Sequence, residues 1–122
     1  MAQAEKSLQN RILNYLNFLP NSFAVEYYSG GLPACVKFGK IIYKSKGKFR
    51  PNGIPDVIWL WNGKTIWIET KLGKTQGTVK TYLSKEQKLI HAKIVECGGE
   101  VIVIRSFEEM TDYANSLRDG KI

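Results

Sequence analysis

Residues 53–73 read GIPDVIWLWNGKTIWIETKLG. Two apolar runs, PDVIWLW and TIWIETK, flank Asn62-Gly63-Lys64, and an Asn-Gly pair between apolar segments is the strongest short-range signal for a tight antiparallel hairpin. The same hairpin contains Asp56, Glu69 and Lys71. Burying one ionised group without a partner is costly, or shifts its pKa until it neutralises, so three in one apolar hairpin need a common explanation. Two are available, a structural ion network and a functional site. Alternation along the second strand puts Ile66, Ile68 and Thr70 on one side and Trp67, Glu69 and Lys71 on the other. Pairing about residues 62 and 63 sets Asp56 opposite the region of Glu69, so both carboxylates are expected at one end of the hairpin.

Working outward, residues 3–19 carry Leu8, Ile12, Leu16 and Leu19 at helical spacing and stop at Pro20, which predicts an amphipathic helix. Glu5 falls on or beside its buried face, near the N-terminus, where the helix dipole favours a carboxylate. SFAVEYYSGG (residues 22–31) reads as a strand stopped by Gly30 and Gly31. ACVKFGKIIYKSKGKFR (residues 34–50) predicts two short strands turning near Gly39, then a basic loop. Downstream, LSKEQKLIHAKIVECGG (residues 83–99) is a helix, with Ser84 and Gln87 spaced as a capping box and Gly98-Gly99 as its end. Leu83, Gln87, Ile90, Ile94 and Cys97 share one stripe of it. EVIVIRS (residues 100–106) is a strand and FEEMTDYANSLRDG (residues 107–120) a short terminal helix. The fold class expected is α/β, a mixed sheet flanked by helices with a right-handed strand-helix-strand crossover.

The 122 residues suit one domain spanning 1–122, large enough to bury roughly 65–70% of the surface its unfolded chain exposes. Eighteen Lys and Arg against eleven Asp and Glu give a net charge of +7, which favours polyanionic partners. Residues 27–55 hold no acidic residue, whereas Lys37, Lys40, Lys44, Lys46, Lys48 and Arg50 all lie there. A run of Lys is often just a solvated face; here it leads straight into the charged hairpin, and Tyr43 and Phe49 offer stacking contacts among the charges. Lys44, Lys46, Lys48 and Arg50, with Lys74 from the following loop, are the candidate DNA-binding residues.

Cys35 and Cys97 are far apart and His91 is the single histidine, which excludes a Cys/His zinc site and leaves both thiols free and buried. No apolar run approaches the ~18 residues that span a bilayer and the first residues lack a signal-peptide pattern, so an intracellular location and no membrane are expected. Gly-Lys-Thr occurs at Gly63 and Gly73, but the glycine a P-loop requires is replaced by Ile58 and Ile68, so no nucleotide cofactor is expected. With one histidine, neither a His-metal nuclease nor a Ser-His-Asp triad can be assembled, and His91 reads as a packed or surface residue.

Two carboxylates a few ångströms apart do not both stay ionised without a compensating cation. Lys71 supplies one positive charge, and oxygen ligands without histidine suit Mg²⁺ or Mn²⁺. The plainer alternative leaves Asp56 in a turn after Pro55 and Glu69 with Lys71 as an exposed pair at a sheet edge.

Taken together, AEKSLQNRILNYL, GIPDVIWLW, IWIETKLG and LSKEQKLIHAKIVECGGEVIVI resemble the PD-(D/E)XK nuclease superfamily, specifically its virus-type replication-repair nuclease (VRR-NUC) branch. The likeness runs from about residue 5 to about residue 104 and is ungapped across the central hairpin. It implies an αβββαβ core, to which the short C-terminal helix is an addition. It also implies that Asp56, Glu69 and the backbone carbonyl of Thr70 hold the metal, with Glu5 as the helix-borne carboxylate. Lys71 then orients or activates the attacking water and Gln87 is the motif glutamine; Glu26 is a weaker rival for the extra acidic role. The implied function is divalent-metal-dependent, structure-selective cleavage of DNA by a homodimer resembling Holliday-junction resolvases, of phage or prophage type. Flap or nicking activity of the same chemistry, and a basic DNA-binding module without catalysis, are the alternatives.

Overall fold

The computed structural model describes residues 3–27, 32–37, 40–44, 52–72 and 83–120, with residues 32–37 and 40–44 described as backbone. In chain order the elements are α1 (Gln3–Phe18), β1 (Ser22–Glu26), β2 (Leu32–Lys37), β3 (Lys40–Lys44), β4 (Val57–Trp61), β5 (Lys64–Thr70), α2 (Lys85–Glu96), β6 (Glu100–Ile104) and α3 (Phe107–Arg118). The fold is α/β. Its four-stranded mixed sheet has the order β1-β4-β5-β6, and β2 pairs with β3 as a separate antiparallel ladder. The two short strands expected around Gly39 are therefore present, outside the main sheet.

The β4–β5 hairpin closes through Asn62 and Gly63, whose φ angles of 49° and 83° are the pair of positive values that a two-residue turn matching the strand twist requires. That turn sets the register Trp61↔Lys64 through Val57↔Ile68. β5 lies inside the sheet, antiparallel to β4 and parallel to β6, and the parallel pairing is made possible by the α2 crossover. Lys71 N–H donates to Ile104 O at 3.0 Å, carrying the β5–β6 ladder one residue past the strand.

On one face of the sheet, Leu8, Ile12 and Leu16 of α1 and Met110 and Ala114 of α3 meet Val57, Trp59, Ile66, Ile68 and Ile104 in one buried cluster. The helical spacing of α1 is what aligns its three apolar side chains on this cluster. Trp59 is fully enclosed, its indole N–H donating to Ser22 Oγ at 2.8 Å, so the large ring is buried without leaving its polar atom unpaired. The Asn17 side chain brackets Ala24 of β1: Nδ2 donates to its carbonyl at 2.9 Å and Oδ1 accepts from its N–H at 2.8 Å.

α2 lies on the opposite face, over β5 and β6 only, where Ile90 and Ile94 border a groove with Trp67. Its start is the capping box expected from the sequence: Ser84 Oγ accepts from Gln87 N–H at 3.1 Å and Gln87 Oε1 accepts from Ser84 N–H at 2.8 Å. His91 is its buried side chain. Cys97, expected to be buried, is free and exposed at the C-cap of α2, where it borders the open groove beside Trp67; the side chain of Cys35 lies outside the described residues. Gly53 (φ +94°) passes so close to the start of α2 that a Cβ there would stand 2.5 Å from the backbone of Glu86. Among the described residues no helix is long and apolar enough to cross a membrane.

Candidate active site

The polar residues of the hairpin meet where β5 ends. Glu69 is 2% exposed, enclosed because β5 has strands on both sides and α2 above it. Asp56, one residue before β4, lies within hydrogen-bonding reach of Glu69. Its Oδ2 accepts from both the backbone N–H of Thr70 (2.9 Å) and the Thr70 hydroxyl (2.8 Å), which fixes the carboxylate against β5. The backbone also ties this corner together, since Tyr27 N–H donates to Asp56 O at 2.7 Å. Glu5 reaches across from α1, and its Oε1 accepts from Leu72 N–H at 3.2 Å, just past Lys71.

These contacts have an electrostatic consequence. Burial, then the Asp56 carboxyl beside it, push Glu69 up to about 9, with Glu5 adding to the rise and Lys71 opposing it. Near neutral pH Glu69 therefore carries a proton it can share with Asp56, as carboxylates in close contact do. Burial, then Lys71, push His91 below its ordinary value, against a smaller opposite pull from Asp56, so the ring is neutral. Its Nε2 lies 3.3 Å from Glu69 Oε1.

The residues expected from the sequence divide into four sets. Asp56, Glu69, Thr70, Lys71 and Glu5 are brought to one corner. Gln87 lies on α2 with its side-chain oxygen engaged by the Ser84 N–H, so its described contact is the helix cap. Glu26 is paired with Lys6 and accepts from Gln9 Nε2 at 3.1 Å, an ion pair beside the core rather than a member of the carboxylate pair. The side chain of Lys44, and Lys46, Lys48, Arg50 and Lys74 altogether, lie outside the described residues.

Two contacts of this corner go beyond the sequence expectation. The Thr70 hydroxyl and N–H both donate to Asp56, where the resemblance gives Thr70 a part only through its carbonyl; the threonine directly after the glutamate of the hairpin is the available signal. His91 reads from the sequence as a packed or surface residue, because nothing in helical spacing alone points a lone histidine at a strand carboxylate.

Among the described residues no three His, Cys, Asp or Glu side chains converge closely enough to hold a metal ion unaided. Asp56 and Glu69 do form a pair of hard oxygen donors, and the proton that Glu69 retains marks a place where positive charge is wanted. A divalent cation held there by Asp56 and Glu69 would take the place of that proton and offset the charge of the two carboxylates. The two carboxylates fit Mg²⁺ or Mn²⁺. Neither protein-family models nor curated proteins provide a match to this chain.

Proposed function

We propose that this protein is a divalent-metal-dependent, structure-selective DNA endonuclease of the VRR-NUC type within the PD-(D/E)XK superfamily. The observation that carries the reading is the contact between Asp56 and a buried Glu69 near the end of β5, with Lys71 two residues further on and Glu5 reaching in from α1. The order α1, β1, β4, β5, α2, β6 in the main sheet supports it, being the αβββαβ order that the resemblance implies.

In this reading Asp56 and Glu69 hold the cation, Thr70 holds Asp56, and the net charge of +7 draws the polyanionic substrate. The cation, when bound, polarises the scissile phosphodiester and lowers the pKa of the attacking water. The Lys71 ammonium stands at the same corner, where it orients that water and offsets the charge that grows on the phosphate as the P–O bond to the leaving oxygen breaks. Holliday-junction resolution by a homodimer is the preferred substrate assignment, since paired cuts in a branched DNA call for two sites related by a twofold axis.

The deciding experiment incubates the protein with end-labelled four-way junction, flap, duplex and single-stranded DNA, with Mn²⁺ or with chelator, and maps the products. Metal-dependent cuts near the branch are expected, and Lys71→Ala should slow them by about 10²- to 10³-fold while DNA binding persists. Binding without any metal-dependent cut by the wild type would leave a DNA-binding module; wild-type rates in Lys71→Ala would remove the lysine from the chemistry.

A further inference from the structure

His91 is the buried side chain of α2, 8% exposed, and its Nε2 meets the carboxyl of Glu69. Ile90 and Ile94 on the same side of the helix are only half-buried. As a packing element an imidazole is a poor choice here: a leucine would bury more apolar area and leave no ring nitrogen needing a partner. What the ring does have is reach. From α2, across the face of β5, it places Nε2 at 3.3 Å from Glu69 Oε1.

Resting on the metal-dependent reading above, we infer that His91 is a positioning residue: it holds the Glu69 carboxylate in the orientation in which it ligates the cation. With its proton on Nε2, the neutral ring donates to Oε1 of the ionised carboxylate. One oxygen so fixed restricts rotation of the whole group, whose other neighbour is the Asp56 carboxyl. The main chain holds Asp56 through Thr70, whereas Glu69 sits at the tip of a longer side chain with more rotamers, so it is the ligand that needs an outside restraint. Hydrogen-bond partners of this outer kind typically contribute about 10- to 100-fold in metal affinity.

Four variants separate positioning from packing: His91→Leu, His91→Gln, His91→Asn and Glu69→Ala. The amide nitrogen of Gln sits where Nε2 does; that of Asn stops short of Glu69. Mn²⁺ titration followed by the electron-paramagnetic resonance of the free ion measures affinity, circular dichroism on heating measures stability, and cleavage kinetics give kcat and KM. His91→Leu and His91→Asn should bind Mn²⁺ about 10- to 100-fold more weakly than wild type, and His91→Gln should recover most of the loss. Saturating Mn²⁺ should restore kcat in His91→Asn with KM for DNA unchanged.

If His91→Leu fails to fold, the Gln and Asn pair decides. Equal affinities in that pair, or wild-type affinity in both, overturn the role of His91 while Mn²⁺ binding that is lost in Glu69→Ala leaves the metal reading standing. A wild type that binds no Mn²⁺, or binds it as well without Glu69, overturns both.

Discussion

On the face of the sheet covered by α1 and α3, Ile12, Leu16, Trp59, Ile66, Ile68 and Met110 have no appreciable exposed surface. On the other face α2 leaves part of the width open: Phe23 and Leu60 stay 58% and 43% exposed, and among the described residues the most deeply buried side chains under the helix are the polar pair Glu69 and His91. The first face is filled with apolar area, worth about 25 cal/mol per Å² removed from water. The second buries a carboxylate whose proton affinity has been driven far from its ordinary value, which is an unfavourable arrangement for stability. A fold this small tolerates the second because the first supplies the folding free energy, and the closed face also lends the corner Thr70 and, from α1, Glu5.

The sharpest way to break this division is to cut into the closed face. Trp59→Ala removes a fully enclosed indole and should cost about 3–5 kcal/mol in denaturant unfolding. A smaller loss would mean that the core is less completely packed than its burial shows.

The polar face should respond in the opposite direction. Unfolded, Glu69 ionises at its ordinary value of 4.5, and folded it holds its proton to about 9, so between these values the folded chain binds more protons. Rising pH then favours the unfolded state, and the metal-free protein should lose on the order of 1 kcal/mol per pH unit across that window. Glu69→Gln should abolish that slope and raise the melting temperature near pH 8 while destroying cleavage; Mg²⁺ should flatten the slope in the wild type. A wild type whose melting temperature is level from pH 5 to pH 9 without metal would show that Glu69 is not strained.

The smallest effect expected is at the joint between the two halves of the site. Gly53→Ala sets a Cβ against the Glu86 backbone in a positive-φ conformation, which should cost about 1–3 kcal/mol. Because α2 must move to relieve the clash, Mn²⁺ affinity should fall with stability. Loss of stability alone would show that helix and carboxylates are not mechanically linked.

Legibility in the sequence followed the range of the interaction. Asn62-Gly63 dictates its turn from two residues, the turn dictates the β4–β5 register, and the register carries Asp56 to Glu69, so that corner could be read directly. The α1 stripe and the Ser84–Gln87 cap are equally local. What could not be read depends on how far α2 slides over the sheet: the exposure of Cys97, the full enclosure of Glu69, and the choice of His91 over Gln87 as the residue that reaches Glu69. Helical periodicity states which residues share a stripe; it does not state which member of the stripe stands above a given strand residue.

Asn17 bears on assembly. At the free border of β1 its carboxamide already occupies the N–H and the C=O that Ala24 would offer to an incoming strand. A second chain cannot extend the sheet there without first displacing a side chain that imitates it. If two copies come together on DNA, they are steered away from that border.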